Sequence, residues 1–236
     1  MGSHAVAEDA SPAGPASPGG PRRPVLVLGS SSPARATLLR AAGITPVIRH
    51  SRVDEDALIA SAGDLVADPP SLIQMLATAK ARDVAEQVRS GEVPGVATHA
   101  RVLVVGADSM LDFDGQVLGK ARNAQEVRDR WAAMSGHTGV LVTGHTVIDL
   151  GGGQEVQRAV ATTIRFGRPD PAELEAYIDS GEPLEVAGSC TIDGLGGPFI
   201  DGIVGDHTNV IGLALPTLRA LVSELGVRWT DLWDRT

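Results

Sequence analysis

Cysteine is all but missing from this chain. The single residue of that kind, Cys190, excludes an internal disulfide framework and fits a reducing compartment. Long apolar runs are missing too. None approaches the ~18 residues of a membrane span, and the N-terminus lacks the apolar core of a signal peptide, so a cytoplasmic protein without a membrane partner is expected. Positive charge is scarce: 20 Lys and Arg stand against 29 Asp and Glu, for a formal net charge of -9. A nucleic acid polymer or an anionic membrane needs a basic face to displace its counterions, so neither is expected as a partner. Small anions stay open wherever cations converge locally. Internal repeats are absent.

What is present is enough apolar material, 43% of 236 residues, to bury a full core as one globular domain or a closely joined pair. Residues 1–23, rich in Ala, Pro, Gly and Ser, cannot bury enough apolar area to offset chain entropy and are expected to form a disordered tail. Their MGSH start has the look of an expression remnant and is set apart from the fold. Residues 24–236 are expected to hold the domain, with RSGEVPGVATHAR as a loop ahead of the strand VLVVG.

Periodicity predicts a buried strand over Val25 to Gly29, a helix over Pro33 to Ala42 and a longer helix over Ser71 to Val88. RVLVVGADSMLDFDGQVLGK then reads as an apolar strand and a hairpin, with Asp114-Gly115 supplying the turn. Asn123 caps a helix running to Met134, and GHTGVLVTGHTVIDL and EVQRAVATTIRF make two long strands joined across GGGQ. DPAELEAYIDSG and LPTLRALVSELG signal a last pair of helices; in the first, Asp170 caps, Pro171 opens the first turn and Gly181 closes. Strands and helices mingle throughout, so the class is α/β with a mixed sheet.

The stretch LVLGSSSPARATLLRAAG places three serines between a strand and a helix. Ser32 followed by Pro33 is explained as N-cap and first helical residue, with Leu38, Leu39 and Ala42 on the buried face. Ser30, Ser31 and Arg35 are not so explained, and a cation in the first turn opposes the helix dipole. A phosphate at that helix end would rationalise all of them, because free N–H groups, hydroxyls and a guanidinium donate to one anion.

Here the residues carry a resemblance. LGSSSPARATLL resembles the opening signature of the Maf nucleotide pyrophosphatases, Ser-x-Ser-Pro-Arg-Arg followed by a paired leucine. LIQMLATAKA, VVGADSML, QVLGKARNAQEV, MSGHTGVLVTG, LEAYIDSGEPLEVAGS and GIVGDHTNVIGLAL follow in that family's order and approximate spacing. The resemblance implies a mixed twisted sheet with flanking helices and two lobes enclosing a nucleotide cleft. It implies hydrolysis of nucleoside triphosphates to the monophosphate and pyrophosphate with a divalent cation, Mg2+ or Mn2+, clearing non-standard or excess nucleotides, and it suggests a homodimer. A nucleotide-binding regulator of cell division or septum formation with little turnover is the alternative.

Each candidate residue has an ordinary reading beside the one implied. Asp108, at the end of VLVVGA, is a turn or cap aspartate, or a carboxylate where α/β proteins hold ligands; the resemblance makes it the proton acceptor for a water attacking the α-phosphorus. Lys120 is a solvated hairpin-end lysine and Lys80 a snorkelling helix lysine, or both lie on the polyphosphate with Ser30, Ser32 and Arg35. VDED, residues 53–56, is a solvated loop, or its Glu55 holds the metal with Asp108. Thr143, His145 and Thr146 read as an ordinary half-buried strand. Cys190 reads as a small buried hydrophobe with no nucleophile signature around it. Three positions depart from the family's thymidine and uridine branch: Ala34 for the second arginine of the opening motif, Ser109 for threonine and Asp193 for glutamine. The surroundings of Asp193 are closer to the 7-methyl-GTP branch, and an ionised carboxylate there takes the paired N1–H and 2-amino donors of guanine while repelling O4 of thymine or uracil.

Overall fold

A computed structural model describes residues 23–94, 96 and 101–234. The tail expected at the N-terminus therefore lies outside the described residues up to residue 22, and so does part of the loop ahead of VLVVG.

The chain opens with β1 (Val25–Gly29), α1 (Pro33–Ala41), the two-residue β2 (Val47–Ile48), α2 (Glu55–Ala60) and the long α3 (Pro69–Arg89). It continues through β3 (Val102–Phe113), β4 (Gln116–Leu118), α4 (Ala124–Met134), β5 (Thr138–Asp149) and β6 (Glu155–Phe166). α5 (Pro171–Asp179), β7 (Ile200–Val204), α6 (His207–Ile211) and α7 (Leu215–Glu224) complete it. The strands form one mixed sheet in the order β2-β1-β3-β5-β6-β7, with β4 paired to β3. β1 runs parallel to β2 and β3; the other pairings are antiparallel. No helix among the described residues is long and apolar enough to cross a membrane.

Local chemistry accounts for most boundaries. Asp114 and Gly115 both take positive φ, the two-residue turn that matches strand twist in the β3-β4 hairpin. Asn123 accepts from the Glu126 N–H, and Asp170 forms a capping box with Glu173 ahead of Pro171. The acidic run at residues 53–56 is not a loop: Asp54 accepts from the Ala57 N–H and caps α2, with Glu55 and Asp56 favourably placed in the first turn. Ser32 stands at the N-cap position of α1, but its hydroxyl makes no capping bond; the turn is held instead by the Ser32 N–H donating to Ser30 Oγ at 3.2 Å.

Pleating sorts the residues of β3 onto two faces. Val102 and Val104 face α3 and pack with its Ala81, Val84 and Ala85. Leu103, Val105 and Ala107 face the other way, in a core with Leu39 of α1 and Leu218, Leu221 and Val222 of α7. Further along that second face, Leu111 and Leu141 join Trp131 of α4, Tyr177 of α5 and Phe166 in a separate cluster. Trp131 meets Phe166, Tyr177 and Phe199 edge to face, and its indole N–H donates to the Ser189 carbonyl at 2.9 Å. Between the two clusters the same face carries Ser109, Thr143 and Thr162, a polar seam in the core.

Thr143, His145 and Thr146 are fully buried rather than half-buried, because β5 is a central strand covered on both faces. His145 is held neutral: its Nδ1 lies 3.2 Å from the Arg158 carbonyl, while its Nε2 accepts from the Ala214 N–H at 2.8 Å. Burial pushes its pKa down to about 4, with the Arg158 carbonyl opposing and the Arg35 charge adding to the shift. The folded value lies below the unfolded one, so this contribution to stability is fully present above about pH 6.5 and is lost as pH falls toward 4, to a total of about 3 kcal/mol. Urea unfolding of the wild type and His145→Gln across that window should show a steeper pH-dependent loss in the wild type. Parallel curves would remove His145 as the source.

Candidate active site

The site arises from a mismatch in strand length. β1 ends at Gly29, which pairs with Gly106, while β3 runs on and meets β4 only from Leu111. Residues 107–110 of β3 therefore have β5 on one side and, among the described residues, no strand on the other. The opening lies at the carboxyl end of a parallel strand, beside the start of α1, which is where α/β sheets hold ligands.

Asp108 sits in this opening with its side chain on the α3 face, 7% exposed. Lys80 of α3 donates to its Oδ1 at 2.8 Å and reaches Glu55 Oε1 at 2.8 Å. The other oxygen, Oδ2, is buried and has no hydrogen-bond partner among the described residues, a costly state for a carboxylate. Glu55, Lys80 and Asp108, far apart in sequence, are thus one cluster. Two glycines permit it. A Cβ at Gly106 would collide with the Ala77 carbonyl and lie 2.6 Å from the Ala81 nitrogen, and one at Gly144 would lie 2.7 Å from the Ile73 carbonyl oxygen. With bare backbone at both positions α3 lies directly on β3 and β5, and Lys80 comes down beside Asp108.

On the opposite face and at the open edge lies Arg35, 8% exposed. Its Nε donates to the Gly212 carbonyl at 2.7 Å, one terminal nitrogen donates to Ser30 Oγ at 3.0 Å and the Ala107 carbonyl at 2.9 Å, and the other donates to Ser109 Oγ at 2.9 Å. Burial lowers its pKa from the ordinary value, and the charges of Asp108 and Glu55 oppose that shift. Ser109 Oγ also shares a hydrogen bond with Thr143 Oγ1, which in turn donates to the Asn209 carbonyl. Asn209 spans the β5-β6 pair, donating to the carbonyls of Leu141 and Val160 and to Thr162 Oγ1.

Other candidate residues stand apart from this cluster. Lys120 follows β4, but the ladder stops at Leu118; its side chain is 63% exposed and 3.4 Å from Glu185, and its backbone forms a bridge with Ala187. Asp193 is exposed on the loop after α5. That loop is clamped by Glu182, whose carboxylate accepts from Thr191 Oγ1 and from the Leu195 and Gly196 N–H groups. Ala34 is partly exposed in the first turn of α1. Burial raises the Cys190 thiol to about 12, as expected of an inert residue. Sequence reasoning missed Asn209, Gly212 and Glu182; only the positive φ of Gly212 and the cap ahead of α6 left a local trace.

Among the described residues no three His, Cys, Asp or Glu side chains could hold a metal by themselves. Glu55 and Asp108 nevertheless suit a hard divalent cation that keeps waters and binds through one or two carboxylates plus phosphate oxygens, and the unpartnered Oδ2 is a suitable ligand atom.

The profile of the family described as Maf-like protein matches residues 25–225. A protein of Streptomyces coelicolor named nucleoside triphosphate pyrophosphatase is 50% identical over 213 residues, covering 90% of this chain and 96% of its own. Relatives with the same name from Nocardia farcinica and a Mycobacterium species are 50% and 46% identical, covering 88% and 89% of this chain and 96% and 98% of theirs.

Gly106→Ala should force α3 away from β3 and cost about 1–3 kcal/mol, whereas Gly119→Ala, with nothing near its added methyl, should cost far less. Denaturant unfolding of both variants checks this; equal stabilities would show that α3 does not depend on close approach at Gly106.

Proposed function

The chain belongs to the family of Maf-like proteins, and from that premise we propose that it hydrolyses nucleoside triphosphates to the monophosphate and pyrophosphate at the Glu55, Lys80 and Asp108 cluster. The observation that carries the proposal is the half-satisfied carboxylate of Asp108. Lys80 pins Oδ1, so Oδ2 is the oxygen left to orient a water and take its proton as the water attacks the α-phosphorus. The new bond joins the water oxygen to the α-phosphorus, the bond from that phosphorus to the bridging oxygen breaks, and pyrophosphate leaves with the electron pair.

Glu55 and Asp108 would hold the divalent cation. Its chemistry is to spread the charge that develops on the phosphoryl oxygens. An ionised carboxylate has about four lone-pair sites, enough for Asp108 to serve both a cation and a water. Ser30, Ser32 and the free N–H groups at the start of α1 would donate to phosphate oxygens, and the exposed Lys120 would add a cation for the polyphosphate. Asp193, exposed on its loop, would favour a guanine edge over thymine or uracil, since a polar group built to pair penalises a base that leaves it unpaired. The regulator with little turnover draws no support from the relatives described above, each of which is named as a pyrophosphatase.

Pyrophosphate, not orthophosphate, should be the first product, and excess chelator should abolish turnover until Mg2+ or Mn2+ is restored. Asp108→Asn should keep the fold and most nucleotide affinity while kcat falls roughly 10² to 10⁴-fold, the usual worth of a positioned general base. A near-normal kcat would remove Asp108 from the mechanism. Comparing kcat/KM for GTP, 7-methyl-GTP, UTP and dTTP should rank the guanine nucleotides first, and Asp193→Gln should shrink the guanine-to-pyrimidine ratio; an unchanged ratio would exclude Asp193 as the base reader.

A further inference from the structure

We infer that Arg35 is a positioning residue for the reaction at Asp108, holding the open edge of β3 from behind, and is not itself a ligand of the substrate phosphates. The inference rests on the pyrophosphatase reading of Asp108. Its grounds are geometric. In the gap between the end of β1 and the start of β4, the Ala107 carbonyl has no strand to donate to it, and the Arg35 guanidinium supplies the missing donor at 2.9 Å. One residue on is Asp108. One residue further, Ser109 Oγ accepts from the same guanidinium, so Arg35 grips β3 on both sides of the reacting carboxylate. Because successive side chains alternate across a sheet, this grip comes from the face opposite Asp108 and Lys80.

Each nitrogen of Arg35 donates to protein, and these bonds take four of its five N–H groups. The third anchor, the Gly212 carbonyl, reaches Nε only because Gly212 takes a φ of 116° and lacks a side chain; a Cβ there would lie 3.2 Å from Nε and 3.5 Å from Ser109 Oγ. Turning the guanidinium to a phosphate would abandon four acceptors, Ser30 Oγ, the Ala107 carbonyl, Ser109 Oγ and the Gly212 carbonyl, from three segments of chain. The planar fork suits this task, since it presents several donors in fixed directions, and a lysine could satisfy only part of the set. Ser109 passes the constraint on to Thr143 and, through its hydroxyl, to the Asn209 backbone, so the grip extends across β5.

The test compares wild type, Arg35→Lys, Ser109→Ala and Gly212→Ala by steady-state kinetics. It adds the affinity of a nucleoside triphosphate analogue with a non-hydrolysable α,β-methylene bridge, and amide hydrogen exchange of β3. Arg35→Lys should lower kcat by roughly 10 to 100-fold, the cost of a small misplacement, while KM and the analogue's Kd stay within about threefold. Gly212→Ala, which alters no charge, should move kcat the same way. Ser109→Ala, a mild change that keeps the fold testable if Arg35→Lys does not fold, should show a smaller fall in kcat, again without loss of affinity. Exchange across Ala107–Met110 should quicken about tenfold in Arg35→Lys while distant segments are unaffected. A rise of tenfold or more in the analogue's Kd with Arg35→Lys or Ser109→Ala would make Arg35 a substrate ligand and overturn the inference. Unchanged exchange at β3 would overturn it too. Wild-type protein that releases no pyrophosphate would sink the functional reading instead, and the exchange measurement would still judge the grip on β3.

Discussion

The approach of α3 to the sheet at Gly106 and Gly144 is the constraint on which the site depends. Helix backbone meets strand backbone there with no side chain between them, closer than ordinary helix-on-sheet packing allows. Lys80, one turn along α3 from Ala77, is thereby set within 2.8 Å of a carboxylate that would otherwise be buried alone. Burying one charge unpaired is far more costly than burying the pair. Lys80 and Asp108 are in that sense conditions for each other, and both are conditions for the glycines.

A second constraint is the polar seam between the two apolar clusters. Ser109, Thr143, Thr162, Asn209 and Arg35 put hydroxyls, an amide and a guanidinium where continuous core would be easier to build. Nearly every group in it is satisfied, so the seam adds specificity of position at limited cost. Among the described residues Asn209 Oδ1 has no partner, nor has Asp206 Oδ2 nearby in sequence. The seam joins the turn after β1, the middle of β3 and β5, and the α6-α7 junction on the face of β3 opposite Asp108. The α3 face and the seam face thus serve one residue from two sides: one supplies its charge partner, the other fixes the strand that carries it.

Elements governed by local signals were legible in advance. Capping residues announced α4 and α5, the Asp114-Gly115 pair announced the β3-β4 turn, and runs of alternating or periodic apolar residues announced the long strands and α3. The short pieces were not: β2 has two residues, α6 five, and β7 lies in a glycine-rich stretch whose pairing with β6 is non-local. Asp54 at the head of an acidic first turn was a helix signal that its charge concealed, because a run of carboxylates reads first as solvated chain. Gly106 and Gly144 read as ordinary strand residues, for nothing local reports what a missing side chain leaves room for.

By itself the sequence determined the α/β class, the strand-turn-helix opening, and a set of residue types, Glu55, Lys80, Asp108 and Arg35, apt for phosphate chemistry. It did so because caps, turns and hydrophobic periodicity act over a few residues, and because patterned motifs resemble those of a family whose profile spans most of the chain. Only the tertiary structure decided which partners those residues meet. Lys80 meets Asp108 because α3 closes on two glycines; Arg35 turns its donors inward because β1 stops short of β3 and leaves the Ala107 carbonyl open. Lys120, adjacent to the same hairpin in sequence, stays at the surface because the β3-β4 ladder ends two residues before it. Strand length, register and close approach are sums of non-local contacts, and no single stretch of sequence carries them.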